Sequence, residues 1–226
     1  KTLGIIRGLE LAKNIENNPT LKYANENGMK LEFISRDDYR KKNQSGFIKS
    51  LLRKYTEYYI IPEGGTNDLA IKGCEEILCK NDFDFDIICC SVGTGGTISG
   101  IINASNPSQK ILGFPALKNA SIRKDICKFV KQSNWKIIDD YHFGGYAKVN
   151  TELIEFMNNF KSKFKITLDP VYTAKMVYGV FDLIKKKGIS SDDKVLVIHT
   201  GGLQGIKGMN KYLKKNNFDL ILWDKY

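Results

Sequence analysis

A glycine- and threonine-rich stretch in the middle of the chain has the clearest capacity for chemistry. The apolar run Ile87–Val92 breaks into Gly93-Thr94-Gly95-Gly96-Thr97, and a second apolar run follows. This order predicts a buried strand, a tight turn and the start of a helix. Main-chain N–H groups at a helix start attract an anion, glycines let it approach, and threonine hydroxyls add hydrogen bonds. The same pattern also fits a strand-to-helix turn that binds nothing.

Neither of the two common nucleotide-binding patterns fits this loop. A Walker A loop needs a Lys-Ser/Thr pair after its last glycine, whereas Ile98 and Ser99 follow here. A dinucleotide fingerprint needs a third glycine at the position that Ile98 occupies. If the loop binds an anion, the pattern therefore favours a single phosphate on a small cofactor.

The surrounding elements predict where the loop lies. Strand-like and helix-like segments alternate along nearly the whole chain, and several strands are apolar on both faces, which favours an open, mostly parallel α/β sheet with helices on both faces. The predicted strands cover residues 3–6, 31–35, 58–61, 87–92, 110–114, 135–141 and 195–198. A second glycine break, His199-Thr200-Gly201-Gly202, follows the last of them. Ligands bind beyond the carboxyl ends of parallel strands, where both breaks are predicted to lie.

Composition narrows the classes of partner. The formal charge is +10, but the lysines are spread along predicted helix faces without interleaved aromatic residues, so we expect no nucleic-acid partner. No apolar run approaches the length of a membrane span, so we expect no membrane partner. Five cysteines without a CxxC pair favour reduced thiols and a cytoplasmic location, and with only two histidines we expect no metal site.

Four segments, in this order along the chain, carry a resemblance to a known family. They are IPEGGTNDLAIKG (residues 61–73), SVGTGGTISG (91–100), LDPVYTAKMVYG (168–179) and VIHTGGLQG (197–205). Together they resemble the D-cysteine desulfhydrase and 1-aminocyclopropane-1-carboxylate deaminase family, which are pyridoxal-phosphate enzymes of fold type II. The resemblance covers nearly the whole chain and implies pyridoxal 5'-phosphate as cofactor and a small amino acid as substrate. It further implies a homodimer.

The resemblance also implies roles for individual residues. The loop Gly93, Thr94, Gly95, Gly96 and Thr97 would bind the cofactor phosphate. Tyr172 and Tyr146 would act near the substrate as catalytic residues. Thr200 would hydrogen-bond the pyridine nitrogen of the cofactor with Thr173 close by. His199 is expected to be a buried histidine at a strand end rather than a catalytic base.

Two threonines bear on the substrate. Deaminases of this family tend to carry a glutamate at the position of Thr173 and to lack the threonine at the position of Thr200. A neutral hydroxyl at the pyridine nitrogen supports a weaker electron sink, which suffices for expelling a good leaving group such as sulfide. The resemblance therefore favours D-cysteine desulfhydrase, with 1-aminocyclopropane-1-carboxylate deaminase and a non-catalytic phosphate-binding module as alternatives.

One functional residue of the family has no counterpart in this sequence. The lysine that forms a Schiff base with the cofactor lies upstream of the matched segments, and Lys1 leads directly into an apolar run. We therefore expect the fold to be N-terminally incomplete and the 226 residues by themselves to be inactive. Lys175 is expected to be structural. Residues 1–61 would belong to a small domain and residues 62–226 to the large cofactor-binding domain.

Overall fold

The computed structural model describes residues 1–224, which divide into two compact units at Ile60 and Ile61. The first unit contains, in chain order, β1 (Leu3–Arg7), a 3₁₀ segment (Leu9–Asn17), α1 (Pro19–Glu26), β2 (Lys30–Ile34), α2 (Arg36–Arg40) and α3 (Ser45–Lys54). Strands β1 and β2 pair in parallel, from Leu3 opposite Lys30 to Arg7 opposite Ile34. Helix α1 begins where the Asn18 side chain accepts hydrogen bonds from two of its first N–H groups.

The second unit is built on a four-stranded parallel sheet. Its strands are β3 (Ile87–Val92), β4 (Lys110–Pro115), β5 (Trp135–Ile137) and β6 (Val195–Ile198), in the spatial order β5-β4-β3-β6. Its helices are α4 (Asp68–Cys74), α5 (Gly96–Ala104), α6 (Ile122–Cys127), α7 (Thr151–Phe164), α8 (Thr173–Lys185) and α9 (Gly205–Lys215). Short 3₁₀ segments cover Glu63–Gly65, Glu75–Ile77, Lys80–Asp84 and Asp139–Tyr141.

The core of this unit lies on both faces of β3. All six residues of the strand are buried. Ile87 and Cys89 pack with residues of α7, α8 and α9, whereas Ile88 and Cys90 pack with residues of α5 and α6. Successive side chains of a strand point to opposite faces, which explains this division. The predicted α/β fold with parallel sheets and helices on both faces is confirmed.

Several predicted elements differ from those in the structure. Residues 58–61 form no strand, because Tyr59 and Ile61 are each 70% exposed and no neighbouring strand pairs with the segment. The sequence pattern also predicts helices over residues 68–78 and 121–132, but the first ends at Cys74 and the second spans only Ile122–Cys127. The strand predicted over 135–141 stops at Ile137 and gives way to a 3₁₀ turn. Helix α3 and the first 3₁₀ segment were not predicted.

None of the helices within residues 1–224 is both long and apolar enough to cross a membrane.

Candidate functional site

The glycine-rich loop connects the end of β3 to the start of α5. Gly95 adopts a left-handed conformation (φ 93°) that favours glycine. The carbonyl oxygen of Gly95 accepts hydrogen bonds from both the main-chain N–H and the hydroxyl of Ser99, at 3.0 and 2.7 Å. Because the helical ladder starts with this bond, the N–H groups of residues 96–98 have no acceptor inside the helix. The geometry is that of an anion site at a helix N-terminus.

Two neighbouring side chains enclose the loop and explain why its glycines carry no side chain. A Cβ atom on Gly93 would lie 3.3 Å from both Cε1 and the hydroxyl oxygen of Tyr172. A Cβ atom on Gly96 would lie 2.8 Å from Oγ1 of Thr66. The loop backbone therefore passes between Tyr172 and Thr66. A Cβ at position 96 would displace Thr66, whereas one at position 93 would shift Tyr172 by a few tenths of an ångström.

Thr66 also fixes a side chain of the loop. Its Oγ1 lies 2.6 Å from Oγ1 of Thr94, at hydrogen-bond distance. Gly64, in the same turn as Thr66, has a φ of 74°, and a Cβ there would lie 2.5 Å from Cγ2 of Thr94. Sequence reasoning did not assign a role to Thr66, although its place at the end of a glycine-rich turn was a usable signal.

A buried carboxylate organises the segment that carries Tyr172. Oδ1 of Asp169 accepts hydrogen bonds from the N–H groups of Val171 and Tyr172, at 2.8 and 3.0 Å. Its Oδ2 accepts from the N–H and the hydroxyl of Thr173, at 2.7 and 2.8 Å. Asp169 is 2% exposed. It thus satisfies the main-chain donors at the start of α8 and fixes where Tyr172 projects. Sequence reasoning missed this role.

Thr173 and Thr200 differ in what their hydroxyls can still do. Thr173 is fully buried, donates its hydroxyl proton to Asp169 and accepts the N–H of Asp169 at 2.9 Å. A hydroxyl has only one proton to donate, so Thr173 has none left for a ring nitrogen. Thr200 is exposed, and its hydroxyl has no hydrogen-bond partner within residues 1–224. The two predicted cofactor ligands therefore differ in position. Thr173 belongs to the start of α8, whereas Thr200 lies beyond β6 with its hydroxyl proton still available.

The histidine before Thr200 has both ring nitrogens in hydrogen bonds with the main chain. Nδ1 of His199 accepts the N–H of Gly201 at 3.0 Å, so the proton is on Nε2, which donates to the carbonyl oxygen of Thr167 at 2.9 Å. The turn then brings Gly202 against Asp169, with 3.4 Å from a Cβ built on Gly202 to Cγ of the aspartate. These contacts give His199 a structural role, but the residue is exposed, so the expected burial is wrong.

The two predicted catalytic tyrosines lie together. The rings of Tyr146 and Tyr172 meet edge to face, with centroids 6.1 Å apart and planes at 72°. Burial raises the pKa of Tyr172 to about 12, and the nearby Tyr146 hydroxyl and the charges of Asp169 and Glu63 add to the effect. Tyr172 therefore keeps its proton at neutral pH. Tyr146 is 59% exposed, at the outer side of this pair.

The residues of the loop fit the phosphate of a small cofactor. The site offers main-chain N–H groups at the start of a nine-residue helix and the hydroxyls of Thr94 and Thr97. Glycine at positions 93 and 96 leaves the loop backbone without side chains beside Tyr172 and Thr66. Within residues 1–224, no group of three or more His, Cys, Asp or Glu residues could hold a metal ion.

Comparison with known proteins gives one family. A family model described as "Pyridoxal-phosphate dependent enzyme" matches residues 17–201. A putative 1-aminocyclopropane-1-carboxylate deaminase from Thermotoga maritima is 28% identical, over 82% of this chain and 65% of the relative. A bifunctional D-cysteine desulfhydrase/1-aminocyclopropane-1-carboxylate deaminase, mitochondrial, from Arabidopsis thaliana is 29% identical, over 79% of this chain and 51% of the relative. The chain thus spans about half to two thirds of these relatives.

Solved structures share the fold. A crystal structure of a 1-aminocyclopropane-1-carboxylate deaminase homologue superposes with a TM-score of 0.74 at 25% identity, covering 93% of this chain and 69% of that chain. A threonine deaminase from Solanum lycopersicum has a TM-score of 0.54 at 15% identity, covering 94% of this chain and 70% of that chain, which shows similarity of fold alone. The expected fold type II architecture and the resemblance to this family are confirmed.

Proposed function

Since the chain belongs to the family of pyridoxal-phosphate dependent enzymes, we propose that the whole protein is a lyase acting on a small amino acid, most like D-cysteine desulfhydrase. Such an enzyme converts D-cysteine and water into pyruvate, hydrogen sulfide and ammonia. The observation that carries the proposal is the loop between β3 and α5, enclosed by Thr66 and Tyr172, with the ring of Tyr146 against that of Tyr172. This arrangement combines a phosphate site with two phenols that can act on a bound substrate.

Each residue of the site has a task in this proposal. Pyridoxal phosphate, when bound, supplies an electron sink for negative charge at the substrate α-carbon. Residues 93–97 hold its phosphate, and Thr200 donates its free hydroxyl proton to the pyridine nitrogen. Tyr172 keeps its proton at neutral pH, as an ordinary tyrosine does, and burial raises its pKa further to about 12, so its hydroxyl can donate a hydrogen bond to the substrate.

The preference for D-cysteine depends mainly on Thr200. Its neutral hydroxyl leaves the pyridine nitrogen without a carboxylate partner, which suits loss of an α-proton and a good leaving group. Thr173 contributes less directly, because its hydroxyl proton is donated to Asp169. Glutamate at position 173, as in the deaminases, would place a second carboxylate beside the buried Asp169. The repulsion between two buried negative charges makes that residue unfavourable in this chain.

Product analysis tests the proposed substrate. The whole protein, supplied with the cofactor, would be given D-cysteine, L-cysteine or 1-aminocyclopropane-1-carboxylate, and sulfide, pyruvate and 2-oxobutanoate would be measured. We expect sulfide and pyruvate in equal amounts from D-cysteine, and their loss in Tyr172→Phe. Formation of 2-oxobutanoate without sulfide would instead favour the deaminase, the second candidate that the names of the relatives support.

A further part of the proposal concerns residues 1–226 by themselves. We propose that they hold the cofactor phosphate but do not turn over substrate, because none of their lysines stands in the sequence context of the family's Schiff-base lysine. The visible absorbance band of a lysine-bound cofactor, appearing when these residues are mixed with pyridoxal phosphate, would contradict this. A non-catalytic module predicts that the whole protein also lacks activity.

Three further expectations belong to this proposal. Residues 1–61 would form part of a small domain and residues 62–226 the cofactor-binding domain, next to the division between compact units at Ile60 and Ile61. We also propose a homodimer, which sedimentation would test. A cytoplasmic location is proposed from the cysteine usage, whereas the Arabidopsis relative is named mitochondrial.

A further inference from the structure

A lysine at the start of α8 is among the most deeply buried side chains of the protein. Lys175 is 1% exposed, two residues after the buried Thr173. Its Nζ donates to the main-chain oxygens of Gly145 and His142, at 2.7 and 2.9 Å, and makes a longer contact of 3.4 Å with that of Ala116. An ammonium group has three protons, and these three carbonyl groups account for all of them. Burial of a charged lysine is costly unless its donors are satisfied, so the arrangement serves a purpose in the fold.

The loop that Lys175 contacts has a backbone that needs support. Phe143 and Ala147 have φ angles of 52° and 54°, and the two glycines between them, at positions 144 and 145, also have positive φ. Left-handed conformations at non-glycine residues cost energy and persist only where surrounding contacts hold them. The loop's own bonds are a turn from Gly145 N to His142 O, a second bond from Lys148 N to Gly145 O, and the bond from Gly144 N to His142 Nδ1. Lys175 adds bonds at both ends of that turn.

The third contact ties the same side chain to the base of the phosphate loop. Ala116 follows β4, and its N–H donates to the carbonyl oxygen of Val92 at 3.0 Å, at the last residue before Gly93. Lys175 therefore contacts two parts of the site. One is the end of the sheet next to the loop 93–97, and the other is the loop that carries Tyr146. Tyr146 in turn meets Tyr172 edge to face.

We propose that Lys175 is a positioning residue for the candidate site: its side chain holds the loop 142–146 so that Tyr146 meets Tyr172. A lysine with a pKa lowered by burial could instead attack a carbonyl, and burial lowers the pKa of Lys175 to about 8, an effect that Asp169 opposes. The hydrogen bonds argue against that use. A nucleophilic amine needs a free lone pair, whereas all three N–H directions of the ammonium point at main-chain oxygens.

Any effect of Lys175 on catalysis rests on the proposed function. The positioning role itself is tested by amide exchange and by the titration of Tyr172, which do not require an active enzyme. In Lys175→Met, the hydrogen bonds are lost while the apolar length is kept. We expect the amides of residues 144, 145 and 148 to exchange with solvent at least about tenfold faster. We also expect the pKa of Tyr172, followed by ¹³C NMR of its ring, to fall, because burial and contact with Tyr146 are among the causes that raise it to about 12 and both weaken if Tyr146 moves away.

The matched control is Lys185→Met, at the exposed end of the same helix, which should change neither readout. Lys175→Arg keeps a cation with several donors and should restore both readouts at least halfway. If Lys175→Met does not fold, Lys175→Gln, which keeps two N–H donors without the charge, is compared with Lys175→Arg instead.

Two results would overturn the proposal. One is a folded Lys175→Met, or Lys175→Gln, with unchanged exchange and an unchanged Tyr172 titration. The other is attachment of the cofactor to Lys175 itself, found by borohydride reduction and peptide mass spectrometry of the whole protein treated with pyridoxal phosphate. Loss of loop protection together with an inactive wild-type protein would support the positioning role and count only against the proposed function.

Discussion

The hydroxyl oxygens of Thr66 and Thr94 lie 2.6 Å apart and join two of the glycine-rich segments of the candidate site. One segment ends at Thr66, before α4, and the other leads into α5. The bond holds the Thr94 side chain beside the main chain of Gly64. A loop that binds phosphate through its main chain needs such external support, because glycines do not restrict their own conformation.

The first prediction removes this bond. Thr66→Val keeps the shape of the side chain but cannot donate or accept, and we expect it to weaken binding of pyridoxal phosphate by about two- to tenfold, the effect of one hydrogen bond of about 0.5–1.5 kcal/mol. Cofactor affinity would be measured by fluorescence titration. Thr20→Val, on an exposed position of α1, is the control. Equal affinity of Thr66→Val and the wild type would show that the bond does not support the loop.

The second prediction uses two adjacent glycines as a matched pair. Gly64 and Gly65 have similar φ angles of 74° and 70°, but a Cβ on Gly64 would lie 2.5 Å from Cγ2 of Thr94, whereas a Cβ on Gly65 meets nothing within 4 Å. Alanine at either position costs about 1–2 kcal/mol of backbone strain. Gly64→Ala should cost a further 1 kcal/mol or so from the clash and should also weaken cofactor binding.

Urea unfolding of both variants measures the difference between them. Since backbone strain is common to the pair, an excess loss in Gly64→Ala is assigned to displacement of Thr94. Equal unfolding free energies and equal cofactor affinities for the two variants would contradict the packing of this turn against the loop.

The elements that position the site follow from local sequence patterns. The apolar run at residues 87–92 predicts a strand buried on both faces, and the glycines after it predict the turn, because both depend on neighbouring residues only. The placement of Tyr146 and Tyr172 came from the resemblance, since they are 26 positions apart and no periodicity connects them. The structure brings their rings within 6.1 Å.

Other parts of the site depend on contacts between distant segments. Lys175 contacts carbonyl groups 30, 33 and 59 positions away. Every residue has a main-chain carbonyl group, so the sequence does not indicate which ones accept these hydrogen bonds. Thr66 likewise meets Thr94 across 28 positions. The failed strand prediction at residues 58–61 has a similar cause, because an apolar segment forms a strand only where a partner strand is present.

The third prediction concerns Asp169, whose carboxylate accepts four hydrogen bonds. In Asp169→Asn, the amide nitrogen replaces one acceptor and would face either the N–H groups of Val171 and Tyr172 or the N–H of Thr173. We expect a loss of about 1–3 kcal/mol in the free energy of unfolding and a lower melting temperature, measured by calorimetry. Asp219→Asn, on the exposed surface, is the control and should be neutral. A melting temperature equal to that of the wild type would show that this carboxylate does not stabilise the start of α8.

The fourth prediction is a pH dependence from Lys175. Its pKa is about 8 in the folded protein, below the ordinary value of 10.5, because burial disfavours the charged form.

Between pH 8 and pH 10.5 the unfolded chain therefore binds more protons at this lysine than the folded protein does. The contribution of Lys175 to the free energy of unfolding must rise with pH across that window. We expect the difference in unfolding free energy between the wild type and Lys175→Met to grow in favour of the wild type from about pH 8 to pH 10. Urea unfolding at several pH values measures it, and Lys185→Met should show no such trend because its side chain is exposed. A difference that stays constant or decreases over this range would mean that the Lys175 ammonium is not destabilised by burial.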